Sequence, residues 1–131
     1  MTSKVVADLA AKAEALARQA EIPSSTVSIR FRVSAHVEFG QQVFVVGSEE
    51  ALGGWKADKA VCLKWSEGDH WMGSVDVPRV GMIEYKYIVR SLDGSYLRWE
   101  ECANHRLVLP KHANAHIKVF DEWGGGGTDS K

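Results

Sequence analysis

The chain predicts an all-β antiparallel sandwich of about seven to eight strands, preceded by one N-terminal α-helix. Three observations lead there. From Val27 onward apolar residues recur at every second position, the period of a strand buried on one face. These runs are short and are separated by turns rich in Gly, Asp and Pro. The three-to-four-residue spacing of a helix is confined to the stretch before Pro23. At 131 residues there is room for one domain with a real core. The expected organisation is residues 1–25 as helix and linker, 26–122 as the sandwich, and 123–131 as a flexible Gly-rich tail.

In the first segment Val6, Leu9, Ala13, Leu16 and Ala20 form one stripe, supported by the i,i+4 pairs Asp8–Lys12 and Glu14–Arg18. The stripe is rich in Ala and buries little. It suits docking on the sandwich, a helix-borne protein partner, or weak self-association as a short coiled coil. Val27, Ile29, Phe31, Val33, Ala35 and Val37 then alternate with Ser28, Arg30, Arg32, Ser34 and His36, giving a half-buried strand that Phe39-Gly40 breaks. Val43–Val46 suits a buried strand, and Leu52-Gly53-Gly54-Trp55 a loop with backbone room for an indole to stand out. Val61, Leu63 and Trp65 alternate again, Ser66–Asp69 turns the chain, and Trp71, Gly73, Val75 and Val77 lead to Pro78. Next comes a hairpin. Ile83, Tyr85, Tyr87 and Val89 face one way, Glu84, Lys86, Ile88 and Arg90 the other, and Asp93-Gly94 makes the turn. Leu97 and Trp99 alternate with Arg98 and Glu100, and Leu107, Leu109, Ile117 and Val119 close the sheets.

A net charge of −1 and scattered basic residues exclude attraction to nucleic acid or an anionic membrane. No apolar run reaches membrane-spanning length, and none forms a signal-peptide core. Cys62 and Cys102 make neither a CxxC pair nor a metal spacing, so two free thiols in a reducing, intracellular compartment are expected. His112 and His116 would suit a metal on a helix, but their segment reads as strand or loop without a third ligand; no metal or cofactor is expected. Glu100 and Glu101 are adjacent and would point to opposite faces, which excludes a glycosidase pair. With no GxSxG, phosphate loop or dinucleotide fingerprint, the chain is not expected to be an enzyme.

Five tryptophans are many for a core of this size. Trp71 shares a face with Val75 and Val77 and reads as core. Trp65 shares the Val61/Leu63 face, so packing and binding both stay open, and Trp123 has no assigned role. Trp99 puts a flat apolar plate beside the Glu100 carboxylate, with Asn104 shortly after and Lys86 on the preceding strand. A plate ringed by donors and acceptors fits a sugar ring, which has a C–H face and a hydroxyl edge.

The order VFVVGS, LGGW, IEYKYI, an Asp-Gly turn, WE and AN resembles the family 20 carbohydrate-binding module, the starch-binding domain, from about Val27 to Pro110. That resemblance implies an immunoglobulin-like β-sandwich, binding of α-1,4-glucans such as starch and glycogen, and no catalysis of its own. It implies a carbohydrate site at Trp55, Lys86, Trp99, Glu100 and Asn104, and a second at Phe39, Gly40 and Trp65. Within the family the likeness is to plant members that precede a glucan-phosphorylating dikinase, through Phe39-Gly40, Trp65 and the Asp93-Gly94 hairpin. It carries an expectation of a plastid or cytoplasmic setting. Two other readings remain: an immunoglobulin-like protein-interaction scaffold whose sugar site has lapsed, and one piece of a larger glucan-modifying enzyme.

Overall fold

The computed structural model describes residues 26–111 and 115–127; the expected helix and His112 lie outside the described residues. Two sheets pack face to face. The first contains β1 (Thr26–Ser34), β4 (Lys64–Ser66), β5 (His70–Pro78), β9 (Ala115–Glu122) and β10 (Gly126–Gly127), in the order β10-β9-β1-β5-β4. The second contains β2 (Gln41–Gly47), β3 (Val61–Cys62), β6 (Met82–Ser91), β7 (Leu97–Trp99) and β8 (His105–Val108). Its order is β3-β2-β6, with β7 and β8 sharing the far edge of β6. The alternating residues meet as the two-residue period requires. Val27, Ile29, Phe31 and Val33 of β1 are buried against Val43, Val45, Ile83, Tyr85 and Tyr87.

Three expectations are corrected. The sandwich is not wholly antiparallel, because β1 and β9 run parallel with Val27 opposite Ala115. No hairpin joins these two strands, so turn geometry does not dictate their direction. The Val61–Trp65 run is not one strand. Val61–Cys62 pairs with β2 and Lys64–Ser66 with β5, so the chain changes sheets at the buried Leu63. Gly73 leaves room for the buried Leu63 side chain at the crossing, since a Cβ there would lie 2.7 Å from Leu63 Cδ2. Finally, the expected flexible tail begins as ordered chain. Trp123 N–H donates to Ser34 O at 3.0 Å, and Gly126 and Gly127 pair with Glu122 and Asp121.

One end of the core is polar and ties the two sheets together. The Tyr85 and Tyr87 hydroxyls each donate to Asp121 Oδ2 at 2.7 Å, tying β6 to β9. Phe31 meets both rings edge-on, at 5.0 and 6.5 Å, and His105 stacks on Tyr85 at 4.9 Å. Burial, then the neighbouring Tyr85 and Asp121, push the Tyr87 hydroxyl well above its ordinary range, so it stays a protonated donor. Asp121→Ala leaves two buried hydroxyls without this acceptor. At roughly 1–3 kcal/mol each, the loss of stability should be about 3 kcal/mol or more, read by urea denaturation at pH 7. A loss below about 1 kcal/mol would mean that the two phenols find other acceptors.

Candidate functional site

The site begins at a gap in a ladder. β7 pairs with Ile88–Arg90 and β8 with Met82–Tyr85, so backbone pairing lapses between them, where residues 100–104 loop out. Glu100 fills the gap. Its N–H donates to Tyr87 O at 3.0 Å, and its Oε1 accepts Tyr87 N–H at 3.1 Å in place of a strand carbonyl. Gly124 N–H reaches Oε2 at 2.9 Å, and His105 Nε2 lies 2.9 and 3.0 Å from the two oxygens. Glu100 is only 3% exposed. It therefore cannot offer its carboxylate to sugar hydroxyls, which corrects its expected role as a contact. Burial alone would raise its pKa. The hydrogen bonds from His105 and Tyr87 N–H, His105's charge and Gly124 N–H outweigh that, and the group sits below its ordinary value. Glu100 positions its neighbours instead.

Successive strand residues point to opposite faces, so an inward Glu100 turns Trp99 outward. Trp99 pairs with Ile88, which pairs with Phe44, and the three form a row on the outer face of the second sheet. Trp99 is half-buried there, and Leu97 beside it is exposed. Lys86 lies on the same face, and its Nζ donates to the Cys102 carbonyl. An ammonium has three donors, so this bond does not exhaust it. Asn104 is exposed and its Nδ2 donates to Glu84 Oε1 at 3.0 Å. The Trp55 loop is tied to this face by Arg90, whose guanidinium lies 4.5 Å above the Phe44 ring and donates to Ala57 O at 3.1 Å. Gly53, Gly54 and Trp55 have φ of 88, 58 and 68°, three left-handed residues in succession. The left-handed state is costly for a residue with a Cβ, so Trp55 is held in a conformation it would not choose. Lys86, Trp99 and Asn104 thus belong to one face, with Glu100 beneath it, and the loop that carries Trp55 is tied to that face at Ala57.

The second set also comes together. Phe39, Gly40 and Trp65 line a groove of about 570 Å³, floored in part by Trp71 and flanked by Gln42 and Leu92. Phe39 is 107% exposed and Trp65 56%, whereas Trp71 is core as expected. Trp65 leaves the packing of Leu63 because β4 is the edge strand. Its indole Nε1 donates to Asp69 Oδ1 at 2.9 Å, and Asp69 Oδ2 meets His36 Nδ1 at 3.1 Å. These contacts, the Trp65 bond first, hold Asp69 below its ordinary value.

Sequence reasoning overlooked the supports. Asp69 was visible only as a turn residue. Trp123 packs on the core, donates from Nε1 to Glu101 Oε1 at 3.3 Å, and carries the Arg98 guanidinium 5.4 Å from its ring. Its proximity to Glu101 follows from the β9 crossing, which no local pattern encodes. Two predictions come from the loops. A Cβ at Gly53 would lie 2.7 Å from Lys59 O, while nothing stands within 4 Å of one at Gly54. Gly53→Ala should therefore destabilise by about 2–3 kcal/mol and Gly54→Ala by about 1–2 kcal/mol in urea denaturation. Equal losses would show that backbone strain alone governs the turn. With a depressed Asp69 pKa, the Trp65 clamp is present above the ordinary carboxylate range and is lost as pH falls through the lowered value. The Trp65 indole N–H resonance should accordingly move below pH 3.8, and a midpoint above it would contradict this assignment.

Comparison with known proteins agrees with this architecture. The family model described as "Starch binding domain" matches residues 26–119. Cyclomaltodextrin glucanotransferase from Niallia circulans is 34% identical over 98 residues, covering 71% of this chain and 14% of that protein. Among solved structures, the family 15 glucoamylase from Hypocrea jecorina matches with a TM-score of 0.70 and 33% identity, over 76% of this chain and 17% of that one. The family 20 module of the maltotetraose-forming amylase from Pseudomonas saccharophila STB07 matches with a TM-score of 0.58 and 26% identity, over 70% and 98%. The chain spans only 14 to 22% of the length of the first curated relatives it matches. It belongs to the starch-binding domain family, and is a non-catalytic carbohydrate-binding module built on two β-sheets.

Proposed function

We propose that an α-1,4-glucan chain lies across the outer face of the second sheet, its sugars stacking on Trp55 and Trp99. Lys86 and Asn104 hydrogen-bond to hydroxyls at its edge. The observation that supports this reading is the half-buried Trp99 on the outer face beside the loop that Arg90 ties to that face, a loop carrying the half-buried Trp55 at the end of three left-handed residues. The Phe39–Trp65 groove is a second contact for the same polymer. Each stacked ring removes roughly 50–80 Å² of apolar surface, or about 1–2 kcal/mol. Polar contacts add roughly 0.5–1.5 kcal/mol each. After association costs, affinity falls in the micromolar range, on the order of −7 to −8 kcal/mol. Weak sites suit a repeating ligand, where two contacts on one strand supply avidity.

In this proposal glycogen and maltooligosaccharides bind as starch does, and the module brings a catalytic partner, in the same or another polypeptide, to the polymer. The features quoted for the plant likeness, Phe39-Gly40, Trp65 and the Asp93-Gly94 hairpin, support a parent akin to phosphoglucan water dikinase. A plastid or cytoplasmic setting goes with it. Calorimetric titration with β-cyclodextrin tests the binding mode. Trp55→Ala and Trp99→Ala should each weaken binding about tenfold, and together abolish it. Phe39→Ala with Trp65→Ala should leave the tighter site intact while lowering stoichiometry and granule retention. Unchanged affinity in both single tryptophan variants would remove the first site from the mechanism.

A further inference from the structure

We propose that Glu100, Cys102 and His105 form a site for one transition-metal dication of the zinc kind. All three lie on the loop that bridges β7 and β8 and on its exit. Their ligand atoms fall within 4.8 Å of one another. Glu100 and His105 are buried, at 3% and 0% exposure, and Cys102 is half-buried, so this is not a solvated surface cluster.

Geometry favours the ion. Zinc bonds of about 2.0–2.3 Å place tetrahedral ligand atoms roughly 3.3–3.7 Å apart. The His105–Glu100 edge, at 2.9 and 3.0 Å, is already close to that. The Cys102 sulfur must close by about 1 Å at most to complete the triangle. A dication would take the place of the proton that His105 Nε2 and the carboxylate share.

Charge and ligand chemistry agree. A dication with one thiolate, one carboxylate and one neutral imidazole is electrically neutral, the condition for burial at low cost. The mixed sulfur, nitrogen and oxygen set suits zinc and its neighbours rather than magnesium or calcium. Lys86 Nζ lies 4.0 Å from the Cys102 sulfur, so the thiol faces into this cluster rather than away from it. Gly125 lets the Trp123–Gly125 turn close over the thiol, since a Cβ at that position would come 3.1 Å from Cys102 Cβ. The ion would pin the loop whose Cys102 carbonyl holds Lys86 and whose end carries Asn104. Metal binding is therefore expected to stiffen one edge of the outer face of the second sheet. The site itself stands independently of the glucan reading.

The test is Co²⁺ titration of the tag-free, reduced, metal-free full chain. Wild type should bind one ion with a thiolate-to-cobalt charge-transfer band that Zn²⁺ displaces. Zn²⁺ should also raise its thermal midpoint. Cys102→Ser should lose the band and weaken binding at least tenfold, while Cys62→Ser, at the exposed thiol, keeps both. Because His105 is a core residue whose loss could unfold the domain, the partly exposed Cys102 carries the test, with circular dichroism and an unchanged urea-denaturation midpoint of the metal-free protein confirming that the variant is folded. No charge-transfer band in wild type, a band lost with Cys62→Ser, or binding indifferent to Cys102→Ser would overturn the proposal.

Discussion

The buried Glu100 carboxylate is the constraint on which the recognition face depends. Interrupting the β6 edge between β7 and β8 strands a backbone N–H at Tyr87, and a buried unpaired amide is costly. Glu100 satisfies it, and with the same carboxylate meets His105 and Gly124 N–H, so four segments meet at one group. A charge can be buried only when it is surrounded by donors in this way. The outward direction of Trp99, the placement of the Cys102 carbonyl under Lys86, and the exit of Asn104 all follow from where Glu100 is anchored.

Both candidate surfaces arise where regular pairing fails. The first follows the β7–β8 break. The second opens where the chain leaves β3 in one sheet for β4 in the other, crossing at Leu63. At such places side chains replace backbone as hydrogen-bond partners, and large residues can be presented rather than packed. Trp65 shows the second effect. It sits opposite Trp71 in register, yet on an edge strand it is exposed and steadied by Asp69, while its partner lies in the core. Trp55, half-buried, is placed differently, through a turn whose left-handed backbone is tolerated because two glycines precede the indole.

The interior keeps these irregularities from loosening the fold. Tyr85 and Tyr87 point inward from β6 while Lys86 and Ile88 point outward from the same strand. One strand thus carries both the inter-sheet tie to Asp121 and the floor of the recognition face. Ile88 and Val46 are completely buried although they lie on the outer face. That face is therefore a covered surface that exposes chosen plates, not an open apolar sheet, which limits non-specific pairing.

The order of residues alone determined the period-two strands, the inward and outward faces of β1 and β6, the Asp93-Gly94 turn and the glycine-backed Trp55. Each is written in neighbours along the chain, and alternation, turn chemistry and backbone freedom are local properties. Glu100 belonged to the same local pattern, beside Trp99, and there locality misled: adjacency in sequence suggested a shared task where the pleat sends the two side chains apart. Tertiary structure alone decided that Glu100 is interior, that β9 runs parallel to β1, that the Val61–Trp65 run divides between sheets, and that Trp123 closes over Glu101. These outcomes join segments distant in sequence, and the burial of a carboxylate is settled by which donors the fold brings to it, a quantity no window of residues contains.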